Sequence, residues 1–241
     1  MNLKDISFAS PEENILFDDV LLSLAEEGRA GEALRFWESE QTFVVLGRIS
    51  KVGENIFIKE ALKDKIPVLR RSSGGGVVLQ GKGCLNYSLI LSKELNPQVR
   101  TLHKSYEFIL GKLIQSLKSL GTEAVFKPVS DMAVKVNNEE RKFSGNAQRR
   151  GKKFILHHGT ILYDFPLEDI EKYLKVPVDV PDYRRERAHR KFLTNITISP
   201  KGLKESLAKI FCAYGIDQKI TGQETEALSR FLKTREVRVV I

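Results

Sequence analysis

Apolar residues recur at helical spacing in several segments of the chain. Residues 11–27 have this spacing, with Ser10 as N-cap, Pro11 at the first helical position and an apolar face of Ile15, Leu16, Val20, Leu21 and Leu24. The same periodicity predicts helices over 106–120, ended by Gly121, and over 203–214, ended by Gly215. A shorter helix is predicted over 167–174.

Short β-rich runs lie between these helices. They occupy 35–37, 42–46, 67–71, 76–79, 85–91, 153–156 and 159–163, and the runs 132–136 and 141–143 form a hairpin around Asn137 and Asn138. Strands and helices are mixed without a regular βαβ rhythm. This predicts an α+β fold in which a mixed, largely antiparallel sheet is flanked by helices. Residues 177–189 are interpreted as a polar, arginine-rich loop.

The composition is that of a globular protein with a basic surface, as in many lysine-rich proteins that have no dedicated acidic partner. Its 241 residues suffice for one large domain over 1–241, and 39 Lys and Arg against 31 Asp and Glu give a net charge of +8. A basic surface attracts a nucleotide, a nucleic acid or an acidic protein, and charge alone does not choose among them. No apolar run reaches about 18–20 residues and the N-terminus lacks a signal-peptide pattern, so we expect no membrane partner.

Cysteine usage points to a reducing compartment. Cys84 and Cys212 suggest neither a disulfide framework nor a zinc site by number and spacing. A cytoplasmic location is therefore expected.

The segment 70–76 reads Arg-Arg-Ser-Ser-Gly-Gly-Gly. Consecutive glycines let the backbone approach a ligand closely, and successive amides in such a turn can bind an anion. Arg71 adds a planar fork for a carboxylate or a phosphate. A glycine-rich turn beside a surface arginine is the simpler alternative, and the segment is neither a P-loop nor a dinucleotide-binding fingerprint.

Two further segments place polar groups beside glycine turns. Residues 81–88 form a glycine turn that feeds a strand, and a plain hairpin between core strands would explain them equally. Asp131 lies across the predicted hairpin from Lys142, whose ammonium can be held over a ligand by the small-residue turn that follows. A solvated surface lysine is the alternative in a chain this basic.

His157 and His158 precede Gly159 and Thr160 at the start of a strand. Neighbouring side chains on a strand point to opposite faces, so the two imidazoles cannot share one zinc ion. We expect one of them to face inward.

Taken together and in this order, these motifs resemble the lipoate–protein ligase A/octanoyltransferase family, within the superfamily of biotin/lipoate protein ligase catalytic domains. The matching segments read RRSSGGGVV, GCLNYSL, SDMAV, RKFSGNAQ and HHGTIL. Arg187 and residues 192–195 resemble the family's later Arg…Thr-Asn segment. The resemblance covers residues 30–215 or so and implies the class II synthetase-like catalytic fold of this superfamily.

The resemblance implies an ATP-dependent lipoate–protein ligase. Lipoate, or octanoate, and ATP with Mg²⁺ would form acyl-AMP, and a lysine of a carrier domain would then take the acyl group. Lys142 would be the catalytic residue, stabilising charge on the carbonyl and phosphate oxygens. Asp131 would lie near the adenosine and the Mg²⁺ ion. The implied nucleotide- and acyl-binding positions are Arg71, Ser73, Gly74, Gly75, Gly76, Val77, Val78, Leu79, Asp131, Ser144, Gly145, Ala147, His158, Gly159 and Thr160.

The implied partners are carrier proteins. An acidic lipoyl domain of a 2-oxoacid dehydrogenase, or the H protein of glycine cleavage, would present the acceptor lysine to the basic surface. The acyl chain needs an apolar slot, to which Trp37 and Phe43 would contribute unless both are core residues. Nucleic acid is not expected as a partner, because the arginine-rich loop lacks stacking aromatics.

The chain departs from the family pattern in three places. Gln80 stands where many members carry histidine, which leaves the role of that position open. Octanoyltransferase branches use a cysteine nucleophile, whereas Cys84 lies in the glycine-turn strand and Cys212 is interpreted as a packing residue of a helix. We also expect no large C-terminal accessory domain, only residues 221–241 beyond the catalytic unit, which implies a separate accessory subunit or a preformed acyl donor.

The missing cysteine motif favours ligation, and an acyltransferase that uses an acyl-carrier donor without ATP is the alternative. A third hypothesis is a binding protein without catalytic activity, a relative of these enzymes that binds a nucleotide or a nucleic acid.

Overall fold

The computed structural model describes residues 1–177, 180–235 and 237–239. Its strands are β1 (Asn2–Asp5), β2 (Ala33–Trp37), β3 (Phe43–Leu46), β4 (Val68–Arg70), β5 (Val77–Gln80), β6 (Cys84–Ser92), β7 (Ala124–Lys127), β8 (Asp131–Val136), β9 (Glu139–Arg150), β10 (Phe154–Leu162) and β11 (Tyr214–Asp217). Its α-helices are α1 (Pro11–Glu26), α2 (Val52–Asn55), α3 (Ile58–Lys63), α4 (Leu102–Ser119), α5 (Leu167–Tyr173), α6 (His189–Phe192), α7 (Pro200–Ile210) and α8 (Gly222–Thr234).

A large, mostly antiparallel sheet carries strands in the order β11-β1-β2-β6-β10-β9-β8-β7. The long strands β6 and β10 pair over their full lengths at its centre, while β1 is parallel to both of its neighbours. A smaller sheet has the order β4-β3-β5. The α+β class and the mixed, largely antiparallel sheet expected from the sequence are confirmed.

Helices cover both faces of the large sheet. On one face, α1 and α8 share an apolar cluster with Ala33, Ile90 and Leu156. On the other face, α4 and α7 pack against alternating residues of the same strands, among them Leu34 and Leu89. Because successive strand residues point to opposite faces, each central strand is apolar on both sides.

Helix α1 begins as the sequence predicts. Pro11 occupies its first turn, and the Ser10 hydroxyl accepts a hydrogen bond from the Glu13 amide at 3.4 Å. The helix is buried almost all round, however, and its polar residues Asp18 and Asp19 are also buried. The apolar stripe therefore marks only part of its buried surface.

The predicted hairpin is present as β8 and β9. Asn137 and Asn138 form its turn with φ of 51° and 64°, the left-handed region that asparagine tolerates best among non-glycine residues. The runs predicted at 153–156 and 159–163 are a single strand, β10.

The predicted helix over 203–214 is wrong at its C-terminal end. Helix α7 ends at Ile210, Cys212 turns the chain with φ of 51°, and residues 214–217 form β11 beside β1. Cys212 is accordingly an exposed turn residue and not a packing residue of a helix. The elements that were not predicted are β1, β7, β11, α2, α3, α6 and α8. None of the helices described here is long and apolar enough to cross a membrane.

Residues near the C-terminus return to the small sheet. The Arg70 amide donates to the Val237 carbonyl and the Val239 amide to the Val68 carbonyl, each at 2.7 Å. Arg235 pairs with Asp19 of α1 at 3.1 Å. Residues 237–239 therefore contact β4, the strand that leads into the triple glycine.

Candidate active site

A cavity of about 520 Å³ opens between the small sheet and strands β6, β9 and β10. Of the residues singled out from the sequence, it brings together Arg71, Gly75, Gly76, Val77, Val78, Asp131, Lys142, Gly145, Ala147, His158, Gly159 and Thr160. Ser73, Gly74, Leu79 and Ser144 lie outside its wall, and Leu79 packs in the core of the small sheet. The motifs thus meet at one place although up to 89 residues separate them in the chain.

Arg71 holds the glycine loop (residues 72–76) in shape. Its guanidinium donates to the carbonyls of Gly74, Gly76 and Val45 at 2.8–3.3 Å. Its side chain is buried, and burial lowers its pKa to about 10. Most of its donors are therefore used within the protein, so that Arg71 shapes the loop more than it offers a free fork to a ligand.

The shape of the glycine loop requires glycine at two positions, one within the loop and one beside it. Gly75 has φ of 82°, and a Cβ on the neighbouring Gly47 would lie 1.9 Å from the Gly75 carbonyl oxygen. The Gly47 amide donates to the Gly76 carbonyl at 3.0 Å. Residue 47 thus forms a backbone support for the loop.

A polar relay connects the loop to α1. The Ser73 hydroxyl lies 2.7 Å from Nε2 of His158, and Nδ1 of His158 lies 3.4 Å from an oxygen of Asp18. Asp18 also accepts from Ser88 at 2.6 Å and from the fully buried Arg35 at 2.7 Å. Ser73 is only 1% exposed, so the relay positions the loop and does not present a nucleophile.

Lys142 faces the cavity beside a carboxylate. Its Nζ lies 2.7 Å from Oδ1 of Asp131, and the Tyr183 hydroxyl donates to Oδ2 of Asp131 at 2.8 Å. Gly145 makes room for the ammonium, because a Cβ there would lie 3.0 Å from Nζ. The lysine is thus held at the cavity wall by the hairpin that the sequence predicts.

His157 faces inward, as one of the two histidines was expected to. Its Nδ1 lies 3.1 Å from Nε2 of Gln148, and its Nε2 lies 3.1 Å from the Tyr87 hydroxyl, which donates to Asn146 at 2.5 Å. Burial, with the neighbouring His158, lowers the pKa of His157 to about 3. This neutral network fixes Asn146, whose amide in turn donates to the Ser130 carbonyl at 2.7 Å.

Gln80 also lines the cavity. Its amide forms two hydrogen bonds with the amide of Asn86, at 2.8 and 2.9 Å. The side chain therefore orients Asn86 at this position.

One part of the cavity wall is apolar. Ile15, Trp37, Val45, Val77 and Val78 contribute to it. Trp37 is therefore both a core residue and a wall residue, whereas Phe43 is confined to the core.

The donor set around Asp131 does not fit a metal ion held by protein alone. Both oxygens of Asp131 have partners in Lys142 and Tyr183. Across residues 1–177, 180–235 and 237–239, no three His, Cys, Asp or Glu side chains cluster as metal ligands. The carboxylate is at most one ligand of an ion that arrives with a substrate.

Several wall residues escaped the sequence analysis. Asp18 lies outside the apolar stripe predicted for α1, and Arg184 belongs to the loop interpreted as polar and arginine-rich, yet both line the cavity. Arg187, by contrast, lies outside the wall and donates to the carbonyls of Glu140, Tyr183 and Arg184. Asn86 and Tyr87 lie in the segment GCLNYSL and Asn146 in RKFSGNAQ, but no individual role was predicted for any of the three.

A model of the lipoyl protein ligase A/B catalytic domain matches residues 10–209. The chain belongs to this family. Within the family, it is 32% identical over 166 residues to a probable lipoate-protein ligase A of Mycoplasma pneumoniae, covering 69% of this chain and 46% of that protein. It is 27% identical over 232 residues to octanoyltransferase LipM of Geobacillus kaustophilus, covering 86% of this chain and 83% of that one. The chain thus spans about half the length of the ligase relative, and its relatives include proteins named as ligases and proteins named as octanoyltransferases.

Solved structures of lipoate–protein ligases share the fold. A lipoate-protein ligase A bound with ATP superimposes with a TM-score of 0.78 at 20% identity, covering 97% of this chain and 94% of that one. A bi-partite lipoate protein ligase of Thermoplasma acidophilum has the same TM-score and identity, covering 97% and 92%.

Proposed function

We propose that the chain is an ATP-dependent lipoate–protein ligase that activates lipoate or octanoate as acyl-AMP and transfers it to a lysine of a carrier domain. The observation that carries the proposal is that Lys142 and the glycine loop line one cavity, while both cysteines of the chain lie outside its wall. An adenylate needs an ammonium and backbone amides around its phosphate, and it needs no thiol.

In this proposal Lys142 stabilises negative charge in both steps. Its ammonium would contact the carbonyl and phosphate oxygens of the mixed anhydride as charge develops there. Asp131 would orient the ammonium before the substrates bind, because the two groups are 2.7 Å apart. The glycine loop, with Ser73 held by His158, would bring amides to the nucleotide and the acyl carboxylate.

The apolar wall suits the chain of the acid. The hydrocarbon part of the acid would contact Ile15, Trp37, Val45 and Val78. Its carboxyl group would then point towards Lys142. Mg²⁺ would be held through the nucleotide phosphates, with Asp131 as one ligand, and would neutralise their charge.

The properties of the two thiols argue against the transferase alternative. A thioester intermediate needs an accessible thiolate at the acyl site. Cys84 is fully buried, and burial raises the pKa of its thiol, while Cys212 lies in the exposed turn after α7. Neither meets that requirement.

The test compares two acyl donors with the same apo carrier domain. With lipoate, ATP and Mg²⁺ we expect the carrier to gain the mass of one lipoyl group. Transfer from octanoyl acyl-carrier protein without ATP, together with no product from free acid and ATP, would replace the ligase by the transferase. Cys84→Ala and Cys212→Ala would then identify the nucleophile, and under our proposal both keep full activity.

An acidic carrier domain and a separate accessory subunit complete the proposal. The net charge of +8 supports an acidic carrier domain. The likeness to a bi-partite ligase over 97% of the chain supports a separate accessory subunit. Synthetic lipoyl-AMP separates the two steps. Rapid transfer from lipoyl-AMP with slow formation of the adenylate from ATP is the result expected of a catalytic subunit that works with a partner.

A further inference from the structure

Arg184 occupies an unusual position in the cavity wall. It lines the cavity and is only 3% exposed. Its Nη2 is buried and has no hydrogen-bond partner among the residues that the structure describes. A buried charged donor without a partner is costly, so such a group is expected to meet an anion in a working state of the protein.

The guanidinium is held firmly from two sides. Nε donates to the Arg187 carbonyl at 2.9 Å, and Cζ lies 4.7 Å from the centre of the Phe192 ring, which also lines the cavity. Arg187 closes the loop by donating back to the Arg184 carbonyl at 2.8 Å. Arg184 is therefore oriented in advance, which reduces the entropy lost when it binds a ligand.

Arg184 follows a residue that contacts the Lys142–Asp131 pair. Tyr183 donates to Asp131, and Asp131 pairs with Lys142. The other wall cations are engaged, since Lys142 has a carboxylate partner and Arg71 uses its donors on backbone carbonyls. Arg184 thus adds an uncommitted guanidinium donor close to the Lys142–Asp131 pair.

We infer that Arg184 binds a phosphate group of the nucleotide substrate. The inference rests on the proposed function for the identity of that nucleotide. A planar guanidinium donates two parallel hydrogen bonds to phosphate oxygens, and the site is shielded from water, so the interaction is strong. Arg187, in contrast, uses its guanidinium donors on carbonyls of the loop and of β9.

Trp37 provides a direct measurement of binding. It is the single tryptophan of the chain and lines the cavity, so its fluorescence reports ligands there. Titration with Mg-ATP should give a dissociation constant that is roughly 10- to 100-fold higher in Arg184→Gln than in wild type, the scale for hydrogen bonds to charged groups. Arg184→Lys should recover part of the loss, because it restores the charge but not the fork.

Two controls separate binding from folding. Arg190→Gln removes an exposed cation from the adjoining helix α6 and should leave the dissociation constant for ATP unchanged. Titration of Arg184→Gln with lipoate alone should match wild type, which tests that the cavity is intact and that the bound group is phosphate and not the acyl carboxylate.

The outcomes distinguish this inference from the proposed function. An unchanged dissociation constant for ATP in Arg184→Gln, or no ATP binding by wild type, would overturn the phosphate site. A loss confined to lipoate would assign Arg184 to the acid and overturn it equally. ATP binding that depends on Arg184 without acylation of any carrier would leave the site standing and remove the ligase function.

Discussion

At the scale of single residues, the site is made of polar and charged groups that are held by other groups before any ligand arrives. Lys142 has Asp131, His158 has Ser73 and Asp18, and Arg71 has the loop carbonyls. Such pre-orientation avoids reorganisation during the reaction. It also makes each of these residues testable through activity as well as through stability.

Lys142→Ala should lower turnover by roughly 10²- to 10³-fold, the scale for losing one pre-oriented donor. The fold should persist, because the side chain is partly exposed and its strand pairing is backbone. Acylation of the carrier measures the first effect and circular dichroism the second. Lys135→Ala, on the exposed side of the same hairpin, is the matched control. Wild-type turnover in Lys142→Ala would exclude the lysine from the mechanism.

Asp18→Ala should lower the free energy of unfolding by roughly 3–5 kcal/mol, because it leaves the buried charge of Arg35 without its carboxylate. Urea unfolding measures the change. Glu13→Gln alters a half-buried acid on the same helix that has no ion pair among the described residues, and it should have little effect. A loss as small as that of the control would mean that Arg35 is balanced by other groups.

Stability should also depend on pH through Asp18. Burial raises the pKa of this carboxyl, but Arg35, His158 and Ser88 more than offset burial, so its pKa in the folded state lies below the ordinary 3.8. Its contribution is therefore fully present above that value and is lost as the pH falls through the folded pKa. The difference in unfolding free energy between wild type and Asp18→Ala should be nearly constant well above pH 3.8 and should shrink as the pH falls below that value. A difference that stays constant would contradict the ion pair.

At the scale of elements, the glycine loop depends on a neighbouring loop for its shape. Gly47→Ala would place a methyl group 1.9 Å from the Gly75 carbonyl oxygen, so one of the two loops must move. A displacement of about 1 Å in a reacting site lowers turnover by about 10²-fold. Gly53→Ala is the control, since a Cβ there meets nothing within 4 Å. Equal acylation rates for the two variants would show that the loop adapts freely.

Elements with strong local signals were predictable from the sequence. Helix α1 has a cap, a proline and an apolar stripe, and the β8–β9 hairpin has two turn asparagines. Strand β11 has no such signal, because its residues are largely exposed and its partner β1 lies some two hundred residues earlier in the chain. The amphipathic pattern of α7 therefore extended past its true end.

The residues of the candidate site were likewise predictable only in part. Glycines and a lysine in linked motifs identified most of the wall. Asp18 and Arg184 could not be found, because their roles depend on partners brought together only by the tertiary structure. Arg187 was chosen from the motif, whereas Arg184 is the arginine of that loop that lines the cavity.

At the scale of the whole molecule, the net charge of +8 should govern the approach of an acidic carrier domain. Raising the ionic strength from about 0.01 M to about 0.15 M shortens the Debye length from about 30 Å to about 8 Å. We expect the KM for the carrier to rise several-fold. The KM for lipoate, which under the proposed function binds inside the cavity, should stay nearly constant. Equal salt dependence of both constants would argue against electrostatic steering.

The packing of α8 on α1 bears on how the polypeptide matures on the ribosome. Ala227, Leu228 and Phe231 of α8 bury the same apolar cluster as the first helix, and β11 supplies the second neighbour of the first strand. A nascent chain that has not yet emerged beyond residue 234 therefore exposes apolar side chains of α1 to water. Helix α1 therefore stays a candidate for chaperone capture until α8 has left the ribosome.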